Sequence, residues 1–226
     1  MQQFVLTKKF VELGLGSTRV LVVNGIARVE SPAWLDGLIA VSVRLAHERT
    51  ESAVASHPHV SGLRALYAAL GHAELKPASQ KLIELVRKRK VFPRISAAVD
   101  AYNTVVVDSM IGIGAHDLNR VVGRVRFELA DREASFKCLG REKPRKVLIG
   151  DFLYRDDNQI LAHLASFDSE DAKITHETKD VLLVAESTAH VTGAEVEDAL
   201  EKAGELICRA TGATGFHLLV PAMETE

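Results

Sequence analysis

The sequence predicts an α/β (α+β) fold, in which strands and helices alternate along the chain. Apolar runs of strand length, within TRVLVVNGIARV at 18–29 and VLLVAES at 181–187, indicate buried strands. Longer segments with apolar residues at helical spacing, such as 196–207, indicate packed helices. The chain has 226 residues and is 47% hydrophobic, so it can form a sizeable core and is not a disordered chain.

Composition also bounds the class of protein. No run of about 18 apolar residues occurs, so we expect no transmembrane helix, and MQQFVLTKKF lacks the layout of a signal peptide. Cys138 and Cys208 have no CxxC spacing, which predicts a cytoplasmic protein with two packed thiols, no structural metal and no cofactor. No repeat or linker interrupts the chain, so we predict one domain over 1–226, with 1–75 integral to its core.

The first third of the chain is predicted to contain strands over 4–29 and helices thereafter. Ser31-Pro32 opens a helix, because proline is tolerated in the first helical turn. We interpret His57-Pro58-His59 as an exposed loop, since no acidic or cysteine partner stands nearby to complete a metal site. Ser61 is the predicted cap of the next helix, which runs through Leu70 and is stopped by Gly71.

A predicted helix from about 78 ends in the basic run RKRK at 87–90. Seven basic residues and one acidic residue lie within 76–94, whereas 151–205 contains fourteen acidic and four basic residues. Cations at a helix C-terminus are favoured by the macrodipole, but four in succession exceed what capping needs. The run is therefore either a solvated helix end or a phosphate-binding surface.

The stretch FPRISAAVDAYNTVVVDSMIGIGAHD at 92–117 carries the most informative pattern. Ser96 is predicted to cap a helix that runs to about Met110. Asp100 and Asn103 lie three residues apart on this otherwise apolar helix, so each needs a partner if it is buried. We expect Asp100 to tie neighbouring loops to the helix, whereas the role of Asn103 stays open.

The same stretch ends in a glycine-rich segment. Gly112 and Gly114 permit backbone conformations that other residues avoid. We expect the residues that follow, His116 and Asp117, to be presented by a loop.

Strands dominate after residue 123, in GRVRFELA, ASFKCLG, KVLIGDFLY, QILAHLASF and VLLVAES. RDDN at 155–158 is a predicted turn, and Thr192 with Glu195 forms a capping box that opens the last helix. The motifs GxGxxG in a strand–turn–helix setting, GxxxxGK[ST], GxSxG and HExxH are absent, so no nucleotide site, nucleophile or metalloprotease site is assigned.

Three segments carry a family resemblance: KPASQKLIELV, FPRISAAVDAYNTVVVDSMIGIGAHDL and KITHETKDVLLVAES. Their order and spacing resemble the B3/B4 domain, the editing domain of the phenylalanyl-tRNA synthetase β subunit, and still more the stand-alone proteins built from that domain. The resemblance covers 77 to about 210 and is looser over the first seventy residues. It implies a three-layer B3/B4-type fold with mixed sheets and packed helices.

The resemblance also implies an activity, the hydrolysis of the ester between a non-cognate or non-protein amino acid and its tRNA, which is the second sieve of a double-sieve scheme. A stand-alone protein would act in trans on misacylated tRNA, with the synthetase that makes the error as a second candidate partner. An activated ester needs a positioned water, a carboxylate or imidazole and backbone amides, but no covalent nucleophile. The alternative is a non-catalytic tRNA- or RNA-binding module, which the charge asymmetry supports equally well.

The resemblance assigns candidate residues. Glu186 is similar to a strand-end glutamate that orients water or binds the amino acid, and His116 is the second candidate catalytic residue. The synthetase form has its histidine where Gly114 stands, so His116 either replaces that histidine or is unrelated to it. Residues 163–166 differ from the stand-alone relatives, so we expect the substrate amino acid to differ from theirs. A pocket lined by acidic residues is one alternative. The candidate pocket residues are Asn103, Gly114, Asp117, His163, Ser166, Lys173 and Thr175. The basic charge of 76–94, rather than the resemblance, gives the candidate tRNA-binding residues Arg87, Lys88, Arg89, Lys90 and Arg94.

Overall fold

Strands supply two main sheets and one hairpin within residues 3–224, the part of the chain that the computed structural model describes. They are β1 (Phe4–Leu6), β2 (Arg19–Asn24), β3 (Gly114–Asp117), β4 (Val125–Leu129), β5 (Ala134–Phe136), β6 (Arg145–Val147), β7 (Phe152–Arg155), β8 (Ile160–His163), β9 (Phe167–Asp168), β10 (Val181–Ala185), β11 (Gly215–Leu219) and β12 (Ala222–Met223). The six-stranded sheet has the order β12-β1-β4-β7-β8-β9 and is mixed, because β1 runs parallel to both of its neighbours. The four-stranded sheet, β11-β2-β10-β3, is antiparallel, and β5 pairs with β6.

The helices are α1 (Lys8–Phe10), which continues into a π-helical turn (Val11–Leu15), α2 (Ala33–Glu48), α3 (Glu51–Ser56), α4 (Pro58–Ala69), α5 (Ala78–Arg89), α6 (Ala97–Ser109) and α7 (Gly193–Thr211). A short 3₁₀ turn covers Leu118–Arg120. No helix within residues 3–224 is long and apolar enough to cross a membrane.

Successive side chains of the central strands β2 and β10 point to opposite faces of their sheet, so the protein has two hydrophobic cores. Leu21 and Leu183 face the helices α2, α5, α6 and α7, and the largest cluster of buried apolar residues lies there. Val22 and Leu182 face the six-stranded sheet, where aromatic rings such as Phe127 fill the second core. The chain therefore has three layers, helices, sheet and sheet, which confirms the three-layer fold with mixed sheets.

The N-terminal segment differs in part from the prediction of strands over 4–29. Residues 8–15 are helical. The Thr7 hydroxyl accepts a hydrogen bond from the Phe10 amide at the start of this segment, and the side chains of Phe10 and Leu15 are fully buried. The flanking strands β1 and β2 join the six-stranded and the four-stranded sheet, respectively. Residues 3–75 thus contribute one strand to each of the two main sheets.

The predicted helix signals are confirmed at three places and wrong at one. Pro32 precedes α2, the Ser96 hydroxyl accepts from the Val99 amide at the start of α6, and the capping box opens α7. The HPH motif is not a loop, because Pro58 is the first residue of α4. A proline suits that position, since its missing N–H would have no helical acceptor there.

Both thiols are free, as predicted. Cys138 is buried and Cys208 is half-buried. Within residues 3–224 no group of three or more His, Cys, Asp or Glu side chains is placed to hold a metal ion.

Candidate active site

A partly enclosed cavity lies where the end of β10 meets the start of β3, the β8–β9 turn and the first residues of α4 and α5. Its volume open to water is about 30 Å³, enough for one or two water molecules. Its lining residues are His59, Ala78, Gly112, Ile113, Gly114, Tyr154, Ala165, Ser166, Asp168, Val184 and Glu186. Three of the residues predicted from the sequence, Gly114, Ser166 and Glu186, are among them.

Glu186 follows the last residue of β10. Strand alternation places it on the same face as Val184, which pairs with Gly114 across the β3–β10 ladder. The side chain is buried, and its Oε1 atom has no hydrogen-bond partner within residues 3–224. Burial and then the nearby charge of Asp168 raise the pKa of Glu186 to about 8. Glu186 is therefore mostly protonated at neutral pH.

Asp168 brings a second carboxyl to the same cavity from the end of β9. Burial raises the pKa of Asp168 to about 6, although the Lys81 ammonium acts in the opposite direction. Asp168 is therefore mostly ionised at neutral pH, whereas Glu186 is mostly protonated. Two carboxyls whose environments separate their pKa values can serve as an acid and a base.

Gly114 lets two side chains approach its backbone. A Cβ atom at this position would lie 3.0 Å from the Tyr154 hydroxyl oxygen and 3.2 Å from Asp168 Oδ1. Neither Gly112 nor Gly114 is among the glycines with positive φ, so the expectation of unusual backbone conformations there is wrong. The reason for glycine at 114 is close approach, and it leaves Tyr154 and Asp168 facing one point in the cavity.

His116 lies behind the cavity rather than in it, and strand β3 holds it instead of a loop. Its Nε2 atom is 2.6 Å from the Tyr154 hydroxyl, and its Nδ1 atom has no partner within residues 3–224. Burial lowers the pKa of His116 to about 4, so the ring is neutral. A buried N–H without an acceptor is rare, so we assign the proton to Nε2. His116 then donates to Tyr154, whose own hydroxyl hydrogen is free to point into the cavity.

His59 forms another wall of the cavity, and sequence reasoning missed it. Its Nε2 accepts from the Gly112 amide at 3.0 Å, and its Nδ1 lies 3.3 Å from the Ser187 hydroxyl. Burial lowers the pKa of His59 to about 3, so the neutral ring bridges the segments on either side of the cavity. The sequence does contain a signal for a helix that begins at Pro58, because this proline precedes apolar residues at helical spacing, Val60, Leu63 and Tyr67.

The β8–β9 turn brings Ser166 and Asp168 to the cavity. QILAHLASF is therefore not one strand, because Leu164 and Ala165 adopt left-handed backbone conformations with φ of 53° and 43°. Such a conformation costs a non-glycine residue roughly 1–2 kcal/mol. The turn is fixed by hydrogen bonds from the Ser166 amide to the His163 carbonyl (3.3 Å) and from the Tyr67 hydroxyl to the Leu164 carbonyl (2.6 Å).

Comparison with known proteins shows the family of the chain. The sequence profile described as the B3/4 domain matches residues 64–212, more than half of the chain. The chain belongs to the B3/4 domain family. This identifies the matched region, including every cavity-lining residue except His59, as a B3/4 domain.

A solved structure has a fold similar to that of this B3/4 domain protein. It is an N-terminal fragment of the phenylalanyl-tRNA synthetase β-subunit from Pyrococcus horikoshii, with a TM-score of 0.51 and 13% sequence identity. The match covers 95% of this chain and 50% of that one, so the chain spans about half the length of the fragment. The likeness shows a shared fold with part of a tRNA synthetase subunit. Comparison with curated protein sequences found no match.

Five predicted pocket residues of the B3/4 domain lie outside the cavity: Asn103, Asp117, His163, Lys173 and Thr175. Asp117 accepts hydrogen bonds from the Asn119 amide (3.0 Å) and the Thr178 hydroxyl (2.8 Å), and the Thr175 amide donates to that same hydroxyl. These bonds fix the loop before β10. Asn103 is half-buried on α6, Lys173 pairs with Glu170, and His163 belongs to a buried network described below.

The basic run lies at the far end of α5 from the cavity. Ala78 lines the cavity at the start of the helix, and at 1.5 Å per residue Lys88 lies about 15 Å away. Arg87 is 3.7 Å from Glu51, while Lys88, Arg89 and Lys90 are exposed. The run therefore does not border the cavity of the B3/4 domain.

Arg94 and Asp100 form a structural network. Asp100 is buried and accepts hydrogen bonds from the Ser31 hydroxyl (2.6 Å), Arg94 Nε (2.8 Å) and the Ile95 amide (2.8 Å). Arg94 also pairs with Asp36 at 2.7 Å. The prediction that Asp100 ties loops to α6 is confirmed, and the charge of Arg94 is already matched by two carboxylates.

Proposed function

We propose that this B3/4 domain hydrolyses the ester of misacylated tRNA in trans, with the cavity at Glu186 as its active site. The observation that carries the proposal is that the carboxyls of Glu186 and Asp168 face one cavity. Burial raises the pKa of Glu186 to about 8 and that of Asp168 to about 6, which suits an acid and a base. Neither carboxyl takes part in an ion pair within the described residues. A structural carboxylate would have its oxygens satisfied.

The residues suit ester hydrolysis through a water. Asp168 accepts a proton from the water as its oxygen attacks the ester carbonyl carbon. The Tyr154 hydroxyl donates a hydrogen bond to the carbonyl oxygen, on which negative charge develops. Glu186 donates its proton to the ribose oxygen as the bond from the carbonyl carbon to that oxygen breaks. The products are a free amino acid and tRNA, and solvent returns both carboxyls to their starting state.

The cavity lining also suits an aminoacyl group. Every aminoacyl ester carries an α-ammonium or amino group, which a carboxylate such as Asp168 attracts. Ala78, Ile113 and Val184 form an apolar side of the cavity. The cavity lining thus combines an acidic end for the reacting group with an apolar side for the amino acid.

The proposal is tested with a panel of misacylated and correctly acylated tRNAs, measuring the loss of the aminoacyl group over time. We expect one or a few misacylated tRNAs to be hydrolysed and the cognate ones to be spared. Glu186→Gln should lower the rate at least about 100-fold, the range of a lost acid or base, while tRNA affinity is retained. Glu201→Gln, an exposed change on α7, is the matched control and should leave the rate unchanged.

An intact panel at micromolar protein would overturn the proposal. If tRNA still bound with measurable affinity, the result would favour the non-catalytic RNA-binding module.

A further inference from the structure

Three cationic side chains converge on one aromatic ring at the rim of the cavity. Arg145 Cζ lies 3.4 Å, Lys81 Nζ 4.5 Å and Arg141 Cζ 5.5 Å from the centroid of the Phe167 ring. We call these three side chains the rim cations. Within residues 3–224 none of them forms an ion pair with a carboxylate. Asp168 lies close enough to raise the pKa of Lys81, and Asp151 and Glu74 act on Arg145 in the same direction, but these carboxylates do not pair directly with the rim cations.

A buried network holds Arg145 in place before any ligand arrives. Arg145 Nε donates to His163 Nδ1 at 2.9 Å, so the proton of this histidine is on Nε2, which lies 2.8 Å from Asp151 Oδ2. His72 Nε2 lies 2.6 Å from the other oxygen of Asp151. His163, a predicted pocket residue, thus orients a rim cation instead of lining the cavity. An oriented cation loses less entropy when a ligand binds.

Burial, with a smaller contribution from like charge, makes the charged state of the cluster costly. Burial and, less strongly, the neighbouring Arg141 charge lower the pKa of Arg145, while nearby carboxylates act in the opposite direction; burial is also the main cause that lowers the pKa of Lys81. The face of the Phe167 ring offsets part of this cost, since cations are attracted to an aromatic face. A bound anion would remove the rest, because it would lie close to all three charges.

The position of the rim cations ties them to the cavity. Phe167 stands between Ser166 and Asp168, both of which line the cavity. Lys81 Nζ also donates to the Ser166 carbonyl at 2.9 Å. Two guanidinium groups and an ammonium suit a phosphate, which arginine binds through paired hydrogen bonds.

We propose that Lys81, Arg141 and Arg145 bind a backbone phosphate of the tRNA 3′ end while the terminal aminoacyl group occupies the cavity. The choice of tRNA rests on the proposed function, whereas phosphate binding rests on the geometry of the cluster alone. The basic run at 87–90 is a weaker candidate for this phosphate, because it lies at the far end of α5.

The test measures binding of a short fluorescent RNA ending in CCA to the full chain by anisotropy, at several salt concentrations. Lys81→Gln with Arg141→Gln should weaken binding about tenfold or more and reduce the slope of log K against log salt by up to about 0.7, since single strands contribute about 0.7 per phosphate contact and the three cations share one phosphate. Arg145 is left unchanged, so His163 keeps its donor. Lys81→Arg with Arg141→Lys keeps both charges and should restore most of the affinity.

Two matched controls remove the same charge elsewhere. Lys143→Gln with Lys146→Gln changes exposed residues of the same hairpin region, and Lys88→Gln with Arg89→Gln changes the basic run. Both should leave the affinity for the short RNA nearly unchanged. Equal weakening by all three double variants, or no weakening by Lys81→Gln with Arg141→Gln, would overturn the proposal.

Two further arms separate the possible outcomes. Displacement of the RNA by millimolar inorganic phosphate would assign the cluster to a free phosphate and overturn the RNA assignment. Binding that depends on the rim cations, without any deacylation, would support this site and reject the proposed activity. Deacylation that is insensitive to the rim cations would reject this site and leave the proposed activity standing.

Discussion

Two pairs of acidic residues, of which all but the half-buried Asp168 are buried, differ in how many hydrogen bonds their carboxyl oxygens accept. Asp100 receives three hydrogen bonds, and Asp151 receives hydrogen bonds from His72, His163 and the Leu148 amide. Those contacts lower the pKa of Asp151 to about 2, although burial acts against them. Glu186 and Asp168 lack such partners, and burial raises their pKa values to about 8 and 6.

This difference distinguishes carboxylates that stabilise the fold from carboxyls that are available to a substrate. A carboxylate surrounded by donors holds the fold together and is not available to a substrate. A carboxyl that is buried without partners has an energetic cost that the fold alone does not offset. Glu186 belongs to the second kind, and the half-buried Asp168 faces the same cavity.

The largest expected effect on stability lies with the satisfied pair. Asp100→Ala leaves the Ile95 amide, the Ser31 hydroxyl and Arg94 without their acceptor, so we expect the free energy of unfolding to fall by about 3 kcal/mol. Chemical denaturation measures this loss. Glu186→Gln, measured in parallel, should leave stability at pH 7 unchanged or slightly higher. An equal loss in both variants would show that the two pairs do not differ.

The pH dependence of stability should have opposite signs in the two pairs. The folded-state pKa of Glu186 is raised, so between pH 4.5 and 8 the folded state binds more protons than the unfolded one and loses stability as the pH rises. The pKa of Asp151 is lowered, so its contribution is present above about pH 3.8 and is lost as the pH falls towards 2.

Denaturation of wild type and Glu186→Gln at several pH values isolates the contribution of Glu186 to the pH dependence of stability. The stability advantage of the glutamine variant should grow between pH 4.5 and 8, with a limit of about 1.4 kcal/mol per unit of pKa difference. The lowered pKa values of His59 and His116 affect both proteins alike and cancel. A difference that does not change with pH would mean that Glu186 has an ordinary pKa.

Gly114→Ala should reduce deacylation by about tenfold, which is about 1.4 kcal/mol in the barrier. The added methyl group lies 3.0 Å from the Tyr154 hydroxyl and 3.2 Å from Asp168, so it separates the two groups. Gly215→Ala, at the start of β11, meets nothing within 4 Å and is the control. Single-turnover deacylation compares the variants, and equal rates would place the reaction elsewhere.

The smallest expected effect belongs to the basic run. Changing residues 87–90 to alanine should weaken binding of full-length tRNA by no more than about threefold, because exposed charges far from the bound group act through a screened field. The salt slope of tRNA binding should change less than in Lys81→Gln with Arg141→Gln. A larger change would reverse the relative importance of the two basic surfaces.

Local signals allowed part of this structure to be predicted from the sequence. The capping box at 192–195 and the Ser96 cap depend on residues within one helical turn, so they are visible in the chain. Glu186 was predicted because it follows an apolar strand and matches a family motif. Asp100 was predicted to be structural because a polar residue on an apolar helix needs partners.

The rest of the site depends on contacts between distant segments. Asp168 reaches the cavity only because Leu164 and Ala165 form a left-handed turn, which neither residue type signals. Tyr154 looks like an ordinary strand residue until His116 meets it from the other sheet. The rim cations come from α5 and from the β5–β6 hairpin region, so no sequence window contains them all.

The pH dependence of deacylation tests the central claim, that Asp168 and Glu186 act as base and acid, most directly. For wild type, kcat/KM on a hydrolysed tRNA should follow a bell with limbs near pH 6 and pH 8. Asp168→Asn should lose the acidic limb and Glu186→Gln the alkaline limb, each at a much lower rate. A wild-type rate that stays level between pH 5 and 9, or variants that keep both limbs, would contradict the account.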